Sequence, residues 1–400
     1  MMKRIYLQKA KTQIARPNTI RDINKQIVLN YVRDQSPISR AEIARETELQ
    51  RSTVSSIIEG LQNEGLIVEI GAGNSTGGRR PTLLRIKTGT PVAIGIDLSP
   101  RTTTVGLADL AGTVLEKSSF PTSPDRKFMT QQLIERVSSL AAKYPDCDLK
   151  IGISVPGLVD HALGRALNIP YFNWMDWDIC SEIESATRIP ATIENDANAT
   201  ALAELWFGHD KIRKTRNFVM VLVGEGIGTG IIVDGQIYRG EKGTGGEFGH
   251  MIVGLNAPVE CSCGSRECWE AHGSEKAIIA RYRGHLSAKS LRQNDMNIAH
   301  LIELSLEGEE NAVHSLEETA RHLGIGISNL IVGLSPQVVI VSGNITKAWH
   351  LIEGELSRIA KRSVLGGLPD TVIMPSSLGE SPTLTGAFSL VLARKFASAS

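Results

Sequence analysis

The stretch GEFGHMIVGLNAPVECSCGSRECWE, Gly246 to Glu270, is the one around which the rest of this 400-residue chain can be arranged. It holds three of the five cysteines, Cys261, Cys263 and Cys268, spaced C-x-C-x4-C, and His250 lies eleven residues ahead of the first. Thiolates and an imidazole are the donors Zn2+ prefers, and a Cys3His set fills a tetrahedral shell with no opening for water. His250, Cys261, Cys263 and Cys268 therefore predict one structural Zn2+ per chain. It would clamp a loop, about 245–272, that has too few apolar residues to hold itself. Glu247 and Glu270 flank these ligands, so placed that they could face a polar ligand beside the metal. Three cysteines in an ordinary redox-active loop are the plainer alternative, and the aligned histidine favours the metal.

Outward from this loop, composition sets the frame. Four hundred residues suggest two or three domains, each with its own core. No apolar run approaches membrane-spanning length, and the basic N-terminus lacks the apolar core of a secretory signal. Cys147 and Cys180 stand alone, which fits a reducing compartment, so a cytoplasmic protein is expected. A formal net charge of zero hides an asymmetry: residues 1–90 carry 15 basic and 8 acidic side chains, and the remainder 28 and 35. A basic head on an acidic body points to nucleic acid at one end and a different ligand at the other.

Residues 1–18 read as a basic arm and 19–88 as a winged helix-turn-helix domain. Ile20, Ile23, Ile27, Val28, Tyr31 and Val32 recur at helical spacing until Ser36-Pro37. Ser39-Arg40-Ala41-Glu42 is a capping box that starts a short helix. After a tight turn, a second helix from Gln50 to Glu64 sets Val54, Ile57, Ile58 and Leu61 on one face. Its other side shows Arg51, Ser52, Ser55, Ser56 and Glu59, with Thr53 beside them; the small hydroxyl residues let it sit close in a major groove, and Arg51 can reach phosphate or guanine. Two strand-like runs around GAGNSTGGRRP make a wing whose Arg79 and Arg80 suit phosphate or a narrow minor groove. A small helical domain that binds protein is the alternative, and three basic pieces in a row favour operator DNA.

From residue 91 to 400 strand and helix signals alternate, which predicts an α/β body with two similar lobes. PVAIGIDL, TTTVGLADL, TVLEKSS, DLKIGISVPG, ATIEN, FVMVLV and QVVIVSGNI read as strands, and Thr130 to Tyr144 as an amphipathic helix. Gly224, Gly226, Gly228 and Gly230 form G-x-G-x-G-x-G, which lets a backbone come close to a phosphate or hydroxyl, though hairpin turns use glycine as freely.

These motifs together resemble the ROK family (repressors, open reading frames and sugar kinases), in its repressor branch with an N-terminal winged helix. The similarity runs over residues about 20 to 395. ISRAEIARETELQRSTVS, STGGRRP, ENDANA, GEGIGTG, GEFGHM and CSCGSRECWE carry it. The resemblance implies an actin-like, hexokinase-like duplicated fold with a sugar between the lobes. It also implies Asn195, Asp196, Glu247, His250 and Glu270 as the residues that bind sugar hydroxyls, with His250 serving both metal and sugar. Asn195 and Asp196 could instead be a helix cap, and Glu270 a plain surface acid.

Departures from the family pattern bear on enzyme activity. Family kinases hold ATP phosphate on a D-x-G-G-T turn, whereas this chain has Asp97-Leu98-Ser99-Pro100-Arg101-Thr102. Both glycines are gone and Pro100 removes a backbone N–H, so the phosphate cradle at Leu98–Thr102 is degenerate. Asp196, the family's general base, would be vestigial. In the loop, Glu267 takes a usual glycine place, where it is expected to strain a turn, and Trp269 takes a usual leucine place. Gln50 replaces a serine cap. The expectation is a sugar-responsive transcriptional repressor, a homodimer or dimer of dimers, with operator DNA and a monosaccharide or derivative as partners. The alternatives are an active ATP-dependent sugar kinase with a fused DNA-binding domain, and a body that docks a protein.

Overall fold

The computed structural model describes residues 17–72, 80–209, 211–212, 215–285, 296–362 and 369–396. They fall into two compact units, one running to Gly89 and including the end of the last helix from Arg394, the other spanning Thr90–Ala393.

In the first unit the elements are α1 (Pro17–Gln35), β1 (Ile38–Ser39), α2 (Arg40–Thr47), α3 (Arg51–Asn63), β2 (Ile67–Ala72) and β3 (Thr82–Ile86). Ser39 accepts from the backbone of Glu42 while the Glu42 carboxylate takes the Ser39 backbone N–H at 2.9 Å, so the expected capping box starts α2. Gln50 heads α3 without a side-chain cap, and Gly65, at φ +70°, turns the chain out of it. Val54, Ile58 and Leu61 of α3 are fully buried with Val28 and Val32 of α1, Ile43 of α2 and Leu84 of β3. The apolar repeat of α1 divides, however. Ile20, Ile23 and Ile27 stay exposed while Val28, Leu29 and Val32 form the core. Strands pair in the order β1-β3-β2. The tip at Gly77, Gly78 and Arg79 and the arm before Pro17 lie outside the described residues.

In the second unit a five-stranded sheet runs in the order β11-β7-β4-β5-β6, from β4 (Pro91–Leu98), β5 (Thr102–Asp109), β6 (Val114–Pro121), β7 (Lys150–Val155) and β11 (Ala191–Asn195). Helix α4 (Arg126–Ala142) begins four residues before the sequence pattern suggested, because Asp125 accepts from the N–H groups of Lys127 and Phe128 and caps it. Between β7 and β11 lie a small sheet of β8 (Leu158–Asp160), β9 (Arg165–Ile169) and β10 (Trp174–Trp177), then α5 (Ile179–Thr187). After α6 (Asp196–Phe207), a second sheet runs β14-β13-β12-β15-β16. Its strands are β12 (Phe218–Val223), β13 (Ile227–Val233), β14 (Gln236–Ile237), β15 (Val338–Ser342) and β16 (Val372–Pro375). In both sheets the first strand pairs antiparallel with a meander on one side and parallel with later strands on the other. The body is therefore a duplication of one topology, each copy with its own buried cluster.

The remaining helices are α7 (Trp269–Gly273), α8 (Glu275–His285), α9 (Ile298–Leu306), α10 (Glu310–Leu334), α11 (Trp349–Ala360) and α12 (Pro382–Phe396). Close approaches fix how helices meet the sheets. A Cβ on Gly152 of β7 would lie 1.9 Å from the carbonyl oxygen of Ala387 in α12, and one on Gly230 of β13 would lie 2.4 Å from that of Ala197 in α6. Two glycines of the G-x-G-x-G-x-G run thus serve helix packing, since Gly228 also meets Ala197. Gly226 of that run lies closest to cleft side chains, Glu270 and Tyr171, and Gly228 also comes near the Asp196 carboxylate.

Candidate ligand cleft, metal centre and nucleic-acid interface

Between the two sheets of the second unit lies a cleft of about 960 Å³. It brings together Asn195, Asp196, Glu247, His250 and Glu270, which come from the β11–α6 junction, the loop after β14 and the start of α7. All five residues named from the family pattern therefore border one cavity.

Asn195 is a helix cap as well. Its side-chain oxygen accepts from the N–H groups of Ala197 and Asn198, and its amide donates to the carbonyl of Gly157 at 3.1 Å. One amide N–H remains for a ligand. Asp196 follows as the first residue of α6 and is half-buried in the cleft wall. Burial pushes its carboxyl up to about 7, helped by the charges of Asp97 and Glu247 and opposed by the Ala197 N–H. Asp97, at the end of β4, is raised to about 6 by burial, against hydrogen bonds from Thr383 at 2.7 Å and Ser99 at 3.1 Å. Burial also raises Glu247, with His250 opposing and Glu270 reinforcing. Glu270 is no plain surface acid: it accepts from the backbone N–H of Ile227 at 3.3 Å and from Ser262.

Several cleft residues carried no sequence signal of their own. Tyr171 lies on a turn after β9, and burial with the charges of Glu270, Asp196 and Glu225 keeps its hydroxyl protonated. Glu275 of α8 is pushed up to about 6 by burial while accepting from the Asn344 amide at 3.0 Å. Glu225, the second residue of GEGIGTG, pairs with Arg101 at 2.5 Å and with Lys276 at 3.5 Å. Arg101 sits in the degenerate phosphate turn, where Glu225 takes up its charge and Glu275 lies near both.

Beside the cleft, one donor atom from each of His250, Cys261, Cys263 and Cys268 lies within 4.8 Å of the others. His250 Nδ1 is 3.2 Å from the Cys261 sulfur, and the Cys263 and Cys268 sulfurs are 3.4 Å apart. A tetrahedral metal with bonds of about 2.3 Å to sulfur needs donors at this spacing, so the group could hold a metal ion. His250 Nε2 faces Glu247 at 3.7 Å, leaving one nitrogen for each side. Glu267 does not adopt a left-handed conformation, contrary to the strain expected there; the positive φ falls at Gly264. Trp269 is wholly buried, donates to the carbonyl of His322 at 2.9 Å, and fits because Gly326 of α10 has no Cβ to meet its ring.

On α3 the exposed positions are Arg51, Ser52, Ser56, Glu59 and Asn63, with Thr53 and Ser55 half-buried, and Arg80 is exposed at the entry to β3. This is the polar face the sequence assigned to DNA. Arg79 lies outside the described residues.

A duplicated two-lobe body behind a winged helix defines a class, and comparison with known proteins gives the family. The ROK family pattern matches residues 93–394, a winged helix-turn-helix DNA-binding pattern matches residues 21–68, and the chain belongs to the ROK family. It is 34% identical over 385 residues to a xylose repressor of Bacillus subtilis, covering 95% of this chain and 97% of that one. A crystal structure of a ROK family transcriptional regulator, a homologue of the Escherichia coli Mlc protein, superposes with a TM-score of 0.75 at 25% identity, covering 94% of this chain and 98% of the other. A ROK glucokinase from Streptomyces griseus, solved with glucose and AMPPNP, matches at a TM-score of 0.67 and 26% identity over 75% of this chain and 99% of that one. With a DNA-binding unit and a degenerate phosphate turn, this chain stands with the regulators of the family and not with its enzymes. Among the described residues no helix is long and apolar enough to cross a membrane.

The burial of Asp196 has a pH signature. Its carboxyl is raised to about 7 in the fold, against about 3.9 in an unfolded chain. Between those values the folded state holds the extra proton, so this group's contribution to stability falls as pH rises through that window. Asp196→Asn, neutral throughout, should therefore gain stability over the wild type at pH 8 relative to pH 4.5. Urea unfolding at the two pH values checks this, and an equal difference at both would overturn it.

Proposed function

We propose that this protein represses transcription from an operator and releases it when a neutral monosaccharide enters the cleft. The observation that carries this reading is the convergence of Asp196, Glu247 and Glu270 on one cavity in a chain that also bears a recognition helix. Carboxylates accept from two adjacent hydroxyls, which suits a polyol. The same acids, with Glu275 close by, oppose a phosphate dianion. The xylose repressor relative makes a pentose the first probe. Asn195 would supply its remaining amide N–H and His250 its Nε2.

Zinc is the metal we assign to His250, Cys261, Cys263 and Cys268, because three thiolates and an imidazole select it and leave no open position. Its role would be to hold Glu247 and Glu270 at the cleft. The working form would be a cytoplasmic homodimer, matching a two-fold operator with half-sites set by helical turns. Arg51, Ser52, Thr53, Ser55 and Ser56 would meet the major groove, and Arg79 and Arg80 the phosphates beside it.

A fluorescence titration of operator DNA with and without D-xylose tests the switch. Wild-type protein should lose at least about 10-fold in operator affinity, which needs ~1.4 kcal/mol of coupling. Glu270→Ala should bind the operator normally and ignore the sugar; a variant that no longer binds sugar yet still switches would refute the cleft as sensor. In the same assay, Arg51→Ala and Arg80→Ala should each reduce the slope of log affinity against log salt by about 0.9, and unchanged slopes would remove those side chains from the phosphate contacts.

Metal content offers a separate check. Purified protein should carry about one zinc per chain, and Cys263→Ser should lose it together with the response to sugar. Metal-free wild-type protein with a full response would exclude a structural zinc.

A further inference from the structure

Glu225 has no partner in the hydroxyl-binding set, yet its side chain is only 17% exposed and lies between cations from both lobes. Arg101, from the β4–β5 turn of the first lobe, meets one carboxylate oxygen at 2.5 Å. Lys276, on α8 of the second lobe, meets the other at 3.5 Å. The Lys276 ammonium also lies 4.8 Å from the centre of the Tyr171 ring, which belongs to the first lobe. The contacts thus cross the cleft twice. They also reach the hydroxyl-binding acids through a short backbone path. Glu225 sits in the turn between β12 and β13, closed by a hydrogen bond from Gly224 N–H to the Gly226 carbonyl at 2.9 Å. Two residues on, Ile227 N–H donates to Glu270. Gly226 lies against both Glu270 and the Tyr171 hydroxyl, where a Cβ would come within 2.3 Å and 2.8 Å.

We propose that Arg101 and Glu225 are positioning residues for the effector: their ion pair ties the first lobe to the Gly224–Ile227 turn and so holds Glu270 and Tyr171 in place at the cleft. The identity of the effector rests on the function proposed above, but the tie itself does not. It forms at the turn between β4 and β5 that lacks the glycines of the family's kinases. Here a fixed side chain supplies the bridge between lobes, so a sugar alone completes the closed arrangement. An ordinary surface ion pair would be worth little. Glu225 is mostly shielded, and its second cation and the turn it anchors give the pair something to act on.

Hydrogen–deuterium exchange of the 224–228 peptide tests the tie without any sugar. Arg101→Ala should fold normally, since Arg101 is 66% exposed. Both Arg101→Ala and Glu225→Gln should speed exchange of that peptide by about 5-fold, the factor of ~1 kcal/mol at the upper end for a half-exposed pair. The double variant should add no more than either single change, and high salt should speed exchange in the wild type only. Exchange at the wild-type rate in both single variants would overturn the tie. Calorimetry with D-xylose then reads its use: both variants should bind the sugar about 5-fold more weakly, and unchanged affinity would overturn the positioning role. If wild-type protein binds no monosaccharide while exchange responds as expected, the effector reading fails and the tie stands.

Discussion

Cys268, Trp269 and Glu270 are consecutive residues in three different environments, and the cleft depends on the middle one. Trp269 is fully buried against α10, its ring filling the space left at Gly326 and its indole N–H satisfied by the His322 carbonyl. A buried aromatic of this size contributes on the order of 3 kcal/mol and fixes backbone direction on either side. On one side Cys268 then falls beside the Cys263 sulfur, and on the other Glu270 meets the Ile227 N–H. The rest of the loop has a small apolar cluster around Ala257 and Ala271, while Phe248, Met251 and Val253 pack at the edge of the core behind it. Tryptophan in place of the family's leucine is therefore matched by a glycine on the helix opposite.

Concentrating carboxylates in a partly dry cleft costs free energy, and the raised values of Asp97, Asp196, Glu247 and Glu275 record that cost. The arrangement is useful only if a ligand returns hydrogen bonds. A neutral sugar brings several O–H donors and no charge, so it relieves the acids without adding repulsion. A phosphate would bring more negative charge to a turn, Leu98–Thr102, that lacks the family's glycines and in which Pro100 removes one backbone donor. Two separate features, the missing glycines and the acids of the cleft, thus disfavour the same ligand.

Much of this was legible in the sequence wherever a local pattern fixes local structure. The capping box at Ser39, the buried face of α3, the alternation of strands and the donor set around Cys261 all depend on near neighbours. Features decided by partners distant in the chain were not legible. Glu225 and Arg101 are 124 positions apart, and nothing near either announces the other. The glycines of GEGIGTG fitted a ligand loop or a hairpin turn equally, and Gly228 and Gly230 answer to α6 packing, which the tertiary approach of Ala197 reveals. Asn195 was read both as a cap and as a hydroxyl ligand, and its two ends show how one amide can hold α6 and still keep a donor free. The strain assigned to Glu267 failed because the turn places its left-handed residue three positions earlier, at Gly264.

The same two-lobe body can run chemistry or work a switch because the two tasks ask different amounts of it. Phosphoryl transfer needs phosphate, metal and acceptor held in line, so losing a cradle of backbone donors removes the function outright. A switch needs only that the ligand bind two arrangements unequally. A hydrogen bond to a charged acceptor contributes about 1.5–3 kcal/mol, and a 10-fold change in a coupled equilibrium takes ~1.4 kcal/mol. One hydroxyl that reaches Glu270 in one arrangement and misses it in the other therefore suffices. The geometry that matters is then the placement of a few acids and whatever keeps them there, which is where Trp269, the Cys3His group and the Gly224–Ile227 turn all converge.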